Sequence, residues 1–500
     1  MILLWACVEP DLPPEESRAV EESSDLWAIE AGPSCDNPAS TPFWQEQDGL
    51  PNSPYPPPTT DNMPGMEPGG VALLDAGSGP LLLYIDPQAT VLGYRLADGS
   101  ALSGLDELHG VASFSIADLD QNGHLDLIAS GLSVQILWDY DGEPAVAALQ
   151  HFEGQTFVRD SVPADLDGDG DLDLLLTRTS PTDEVDALSA LIWTNLGDRT
   201  FADPVAIDAP EGFWGKTFDA AAIDLNRDDA PDLLICNDLG REHAPNGLLL
   251  NDGVGGLYVP EDARGLDIRS SCMGLGIGDL DQDGALDVSL GDAARHYFLR
   301  QTGGSTFVDA SATTGIAVPQ ERQMYWGTGL ADLDNSGSPE LLLPSSSFWV
   351  SSALPWPTYA LERGTDGRWT DRGLDWGLPQ ATGTRSVLTA DLNDDGLPDL
   401  IFGDGWRPPH VLWSSQCTSA GWIEVDVPEG SLVLLDAGGR VRVAQAGHDG
   451  SYGSAGRARV HLGLGELEHA EKLVVRVPWK GAFILDQPIP ARSRVRLLVP

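Results

Sequence analysis

"DLDGDGDLDLLL", residues 165–176, places five aspartates in nine positions and then turns apolar. Carboxylates this crowded repel one another, so the stretch is either a solvated acidic loop or a cradle for a cation. Spacing separates the two. Asp165, Asp167, Asp169 and Asp173 stand at the first, third, fifth and ninth positions, with Gly170 at the sixth. A hard divalent cation takes about six to eight oxygen ligands, and a glycine lets the chain turn sharply enough to bring them together.

The frame recurs. It is found at Asp118, Asp120, Asn122 and Asp126; at Asp224, Asn226, Asp228 and Asp232; and at Asp279, Asp281, Asp283 and Asp287. It returns at Asp332, Asp334, Ser336 and Glu340, and at Asp391, Asn393, Asp395 and Asp399. The starts lie 47, 59, 55, 53 and 59 residues apart, and every copy has Leu at its second position. Six copies in register argue for Ca²⁺, about one ion per loop, with side-chain oxygens from the first, third and fifth positions and a carboxylate from the ninth. The seventh position would supply a backbone carbonyl, from His124, Asp171, Ala230, Ala285, Ser338 and Leu397. Asp229, where glycine is usual, and Ser336 with Glu340 predict weaker sites in the Asp224 and Asp332 loops.

These loops are not EF-hands. An EF-hand needs Glu at its twelfth position and helices on both sides. Here that position is Ala129, Leu176, Ile235, Leu290, Leu343 or Phe402. The flanks, such as "MGLGIG" and "PDLLIC", are short apolar runs bounded by Gly, Pro or Asp, which read as buried strands. A repeat of about 50 residues with four short strands is the signature of a β-propeller. "VALLDAGSGPLLLYI" at 71–85 has the same outline without the acids, and Asp75 precedes Asp118 by 43 residues. It reads as a first, metal-free unit. The expected fold is all-β: a seven-bladed propeller over 69–418 followed by a small β-sandwich-like domain over 421–500. The last repeat lacks a fourth strand, and "PFWQEQDG" at 42–49 is expected to complete it and remove an open edge.

Composition bounds the function. Lys and Arg number 28 against 77 acids, a net charge of −49, which argues against a nucleic-acid partner. Six Ca²⁺ ions would leave about −37, so the remaining acidity reads as a solubility device. The excess is uneven: residues 421–500 hold 10 basic and 9 acidic side chains, which marks a boundary near Gly421. No apolar run is long enough for a membrane span. "MILLWAC" reads either as a lipoprotein signal at 1–7 truncated by a start assigned too late, with a lipid anchor through Cys7, or as an accidental match. Residues 8–68 hold 13 prolines and are expected to be an extended linker. Cys35, Cys236, Cys272 and Cys417 allow three disulfide pairings; Cys236 with Cys272 and Cys35 with Cys417 is one, and buried free thiols are the alternative.

The repeats resemble the FG-GAP/VCBS repeats of integrin α-type propellers. "GGRVRVAQAG", the element His461–Gly465 and the strand ending Val477-Pro478-Trp479 resemble the ASPIC/UnbV domain. Propeller then ASPIC/UnbV is the order of the cartilage acidic protein family and its bacterial relatives. The resemblance implies an extracellular or surface-attached Ca²⁺-binding protein with structural metals and an unidentified protein or glycan ligand. "HDGSYGSAG" departs from that family's Gly-Gly-x-x-Tyr-Leu segment.

No catalytic set emerges. The histidines are scattered, no H-E-x-x-H or G-x-S-x-G is present, and "MGLGIGDLD" leads into a metal loop rather than a helix. His461 is expected to be structural, and the chain is not expected to be an enzyme. Two alternatives carry their own tests. A carbohydrate-binding propeller would expose aromatics at a rim, with Trp214 beside Lys216, and Tyr325 with Trp326, the first candidates. A hydrolase would need two unliganded carboxylates in one pocket.

Overall fold

In a computed structural model, residues 20–22, 26–33, 35, 44–46, 69–76, 79–105, 108–141, 146–151, 157–179, 188–261, 264–293, 295–316, 323–346, 356–380, 383–414, 418–447 and 452–498 are described. Among them the chain is all-β, with one short helix, Ser311–Thr314. No helix among these residues is long and apolar enough to cross a membrane.

The repeats form small antiparallel sheets in chain order. The first has three strands, Val71–Ala76, Gly79–Ile85 and Val91–Arg95. Six four-stranded sheets follow, opening with Val111–Ala117, Phe157–Ala164, Lys216–Ile223, Cys272–Gly278, Gly329–Ala331 and Thr384–Ala390. Each opening strand touches the next, and Thr384–Ala390 touches Val71–Ala76, so the series closes on itself. Opening strands such as Val111–Ala117 and Cys272–Gly278 are buried at every position, which is why they carry apolar or small residues on both faces and no charge. Glycine permits the tightest junctions. A Cβ on Gly291 would lie 2.5 Å from the Tyr325 carbonyl oxygen, and one on Gly403 would lie 1.9 Å from that of Gly69. In both cases the entry segment of the following sheet crosses over the glycine, so the junction of last sheet to first repeats an interior one.

The last sheet takes its outer strand from the far end of the chain. Trp44–Glu46, inside the 42–49 segment, pairs antiparallel with His410–Ser414. Trp44 is 1 % exposed, and its indole N–H donates to the Pro398 carbonyl at 3.0 Å. His410 lies between the carboxylates of Glu46 and Asp404.

Residues beyond 420 build two further sheets around their own core of Val425, Val433, Leu473, Val475, Phe483 and Val495. Here the linker expected over 8–68 is corrected. Val20–Glu22 pairs in parallel with Gly481–Leu485, and Trp27–Ala31 pairs antiparallel with Ser493–Leu497. Trp27 is buried in that core. The prolines mislead because they punctuate the segment without entering these two short strands.

The C-terminal unit is packed onto the ring. Leu432, Leu434 and Val443 share one hydrophobic cluster with Leu275, Ile277, Val288 and Leu290. Gly453 and Ala455, from the segment that departs from the family pattern, accept backbone hydrogen bonds from Phe114 and Leu73. Tyr452 is buried against Trp326, with ring centres 5.1 Å apart, and the Arg159 guanidinium lies 4.7 Å over its ring. A disulfide, Cys236–Cys272, joins the fourth sheet to the fifth. Cys35 is disulfide-bonded as well; Cys417 and Cys7 lie outside the described residues.

Candidate metal centre

Each acidic loop connects the first two strands of its sheet and is folded by its own side chains. The first-position carboxylate accepts backbone N–H bonds from the turn. Asn122 and Gly123 donate to Asp118 at 3.0 and 2.7 Å, Asp283 and Gly284 to Asp279 at 3.0 and 3.1 Å, and Asp395 and Gly396 to Asp391 at 3.0 and 2.9 Å. Fifth-position side chains accept from the seventh-position N–H groups: His124 to Asn122, Asp171 to Asp169, Ala230 to Asp228, Ala285 to Asp283, Ser338 to Ser336 and Leu397 to Asp395. These are Asx- and ST-type turns, which explains why short polar side chains recur at alternate positions.

The ninth-position acid has a second task. One oxygen of Asp126, Asp173, Asp232, Asp287, Glu340 and Asp399 accepts the N–H of the second-position leucine, at 2.8 to 3.2 Å. The other oxygen, in five loops, accepts an N–H at the end of the third strand, from Asp139, Asn195, Asn251, Gln301 or Ser414. The same side chain that would face an ion therefore ties the loop to the sheet.

Four loops bring three carboxylates within 4.8 Å of one another: Asp118, Asp120 and Asp126; Asp165, Asp167 and Asp169; Asp279, Asp281 and Asp287; Asp332, Asp334 and Glu340. In the Asp224 and Asp391 loops the third position is Asn226 or Asn393, and among the described residues no three acids there meet as closely. The asparagines instead donate to their fifth-position partners, Asp228 and Asp395, at 2.9 and 3.0 Å. Burial first, and crowding by neighbouring carboxylates after it, pushes the acids up the pH scale: Asp165 to about 6, Asp126, Asp173, Asp232, Asp279 and Asp399 to about 7, and Asp287 to about 9. Asp332 and Glu340 move the same way for the same reasons. Asp120, Asp281 and Asp332 each keep one buried oxygen without a hydrogen-bond partner. Buried, crowded and unsatisfied acceptors are what a hard cation would complete, so these residues fit a divalent metal such as Ca²⁺.

Sequence reasoning passed over the fourth position. Gln121, Arg227, Gln282, Asn335 and Asp394 all have positive φ, between 55° and 63°. Four of them reach the next loop and donate to its sixth-position carbonyl: Gln121 to Gly170 at 2.5 Å, Arg227 to Gly284 at 2.6 Å, Gln282 to Gly337 at 2.6 Å and Asn335 to Gly396 at 2.7 Å. The signal was a long or amide donor at a position that no metal needs. Where this link is missing, the C-terminal unit supplies a contact. A Cβ on Gly168 would lie 3.0 Å from Trp479, whose indole donates to the Asp165 carbonyl at 2.7 Å. Asp394 pairs with Arg494 at 2.6 Å.

The C-terminal unit thus sits on the metal-loop face. Asp229, where glycine was expected, pairs with Arg476 at 2.5 Å, and its backbone carbonyl accepts the Trp479 N–H at 2.8 Å. His461 is half-buried, and the desolvation pushes its imidazole down to about 4 and keeps it neutral; its Nε2 donates to Asn335 Oδ1 at 2.6 Å. The aromatics proposed as a sugar-facing rim are corrected. Trp214 is 8 % exposed and Tyr325 and Trp326 are fully covered, because they pack between sheets. Asp160 and Asp219 do meet, on neighbouring opening strands, and burial raises both carboxyls, but both are enclosed.

Comparison with known proteins finds one sequence match. Residues 165–235, which span the Asp165 and Asp224 loops, match the FG-GAP-like repeat. Among curated proteins none matches in sequence. Among solved structures, an Agrocybe aegerita lectin described as recognising non-reducing terminal N-acetylglucosamine is similar at 15 % identity, over 70 % of this chain and 92 % of that one, with a TM-score of 0.38. BBS1N, solved in complex with ARL6DN, is similar at 9 % identity, over 76 % of this chain and 99 % of that one, with a TM-score of 0.45. The chain is therefore all-β and, over residues 165–235, similar to an FG-GAP-like repeat.

Proposed function

We propose that the chain is a seven-bladed β-propeller stiffened by Ca²⁺, capped on its metal-loop face by an ASPIC/UnbV-like C-terminal unit, and that it serves as an extracellular or surface-attached binding or adhesion module. The observation that carries the reading is the set of acidic loops whose carboxylates crowd together and, in three of them, keep a buried oxygen unsatisfied. The clustered acids would hold the ion, from the first, third and ninth positions in three loops and from the first, third and fifth in the Asp165 loop, and an ion there would cancel their mutual repulsion. The chemistry is structural, and no catalysis is assigned. The FG-GAP-like repeat agrees with a binding module, and the Cys236–Cys272 disulfide agrees with an oxidising compartment.

At about 1 mM Ca²⁺ and a site Kd of about 0.1 mM, each loop adds roughly 1.4 kcal/mol to folding. Metal content and thermal melting of the whole chain, with and without EDTA, test the reading. Several Ca²⁺ per chain and a melt lowered by EDTA are expected. Metal-free protein with an unmoved melt would leave the aspartates as turn-forming residues only.

A further inference from the structure

Between the ring and the C-terminal unit lies a cavity of about 550 Å³, well within the range of about 300 to 1,000 Å³ that holds small ligands. One wall comes from the ring: apolar side chains of the opening strands, including Leu74, Ile277, Leu330 and Leu388, stand beside the loop acids Asp279, Asp332 and Asp391, whose charge the proposed ions would neutralise. The opposite wall belongs to the C-terminal unit and carries five of its ten basic side chains with one acid, Glu424, so arginines are in excess once the loop acids hold their ions.

The five arginines are not equally occupied. Arg494 pairs with Glu424 at 2.7 Å and Asp394 at 2.6 Å, and Arg457 and Arg459 pair with Asp426 at 3.1 and 3.4 Å. Arg440 and Arg442 make no ion pair among the described residues. Arg442 donates through Nη1 to the Ala437 carbonyl at 3.0 Å, and its Nε is buried without a partner. Arg440 stands at the mouth and reaches only Gln282 Oε1, at 3.4 Å. A buried guanidinium donor without an acceptor is costly, and its planar fork matches a two-oxygen anion.

We propose that this cavity binds an acidic sugar of about disaccharide size, its carboxylate or sulfate oxyanion held by Arg442 and Arg440. The C–H faces of a pyranose would lie on the leucine and isoleucine wall, and its hydroxyls along the polar edge. A wholly apolar chain would leave that edge unsatisfied. The site deepens the binding-module reading and rests on it.

Calorimetry on the whole chain in Ca²⁺ tests the site, with a glucuronate-containing disaccharide, its sulfated counterpart and its neutral methyl ester as probes. Arg442→Ala removes the clamp. Gly456→Leu fills the cavity while keeping both arginines, since a Cβ there meets only Leu388 Cδ2, at 3.9 Å. An acidic probe that binds, outcompetes the ester and weakens at least tenfold in both variants supports the site; which acid binds tells carboxylate from sulfate. Silence from every probe, equal binding of the ester, or binding untouched by both variants overturns it. Metal content and melting of the same samples report separately on the proposed function.

Discussion

Asp229 and Arg476 offer a quantitative test of how the C-terminal unit is attached. The pair is 2.5 Å apart, with side chains 1 % and 10 % exposed, and Asp229 Oδ2 and Arg476 Nε have no further partner. Asp229 also sits at φ 68°, where the equivalent residue of the other loops is glycine. Two effects oppose each other in Asp229→Gly. Relief of left-handed backbone strain returns about 1 kcal/mol. Leaving Arg476 buried without its partner costs about 3–5 kcal/mol. The net expectation is a loss of about 2–4 kcal/mol. Arg476→Met strands the carboxylate instead and should cost a similar amount. The double variant removes both charges, so its loss should fall short of the sum by more than about 2 kcal/mol. Urea unfolding of the four proteins at saturating Ca²⁺ measures the cycle. A coupling below about 0.5 kcal/mol, or an Asp229→Gly protein more stable than the parent, would show that the contact does not hold the unit in place.

Tyr452→Ala deletes a buried ring between Trp326 and Arg159, so a loss of about 3–5 kcal/mol is expected in the same unfolding assay; a loss below about 1 kcal/mol would mean that the 452–456 segment is not anchored in the ring. Gln282→Ala severs the 2.6 Å bond to Gly337 that links two metal loops, and should cost about 1 kcal/mol and weaken Ca²⁺ binding at the Asp332 loop; calcium titration of the variant checks this. For His410, burial alone lowers the imidazole, but Asp404 and Glu46 outweigh it and the net shift is upward. Its contribution is therefore complete below the ordinary histidine value and fades as pH rises through the raised one, so amide exchange of residues 44–46 should quicken on the alkaline side and lose that dependence in His410→Gln. Removing residues 1–33 uncovers the edges of 481–485 and 493–497 and the socket of Trp27; a lower melt and concentration-dependent aggregation are expected by calorimetry and light scattering.

Much of the ring was legible from sequence because its instructions are local. Nine residues carry a whole acidic loop, and an apolar run bounded by Gly or Asp carries a buried strand. Asp118, Asp165, Asp279 and Asp332 accordingly sit in clusters that spacing alone outlines. The single-residue departures were also visible, but Asp229 read as a weakened ligand when its partner, Arg476, lies 247 positions away.

Tertiary structure decided everything that pairs across the chain. A strand edge presents the same N–H and C=O groups whatever its side chains, so nothing in Val20–Glu22 or Trp27–Ala31 names residues 481–485 and 493–497 as partners. Likewise, an exposed and a buried tryptophan have the same letter; only tertiary packing covers Trp214 within the ring and Trp326 beneath Tyr452. The spacing of acids along the sequence determined where metal could be held. Closure of the ring, the wiring of Gln121, Arg227, Gln282 and Asn335 to the next loop, and the cavity beneath the C-terminal unit arise only when distant segments share one core.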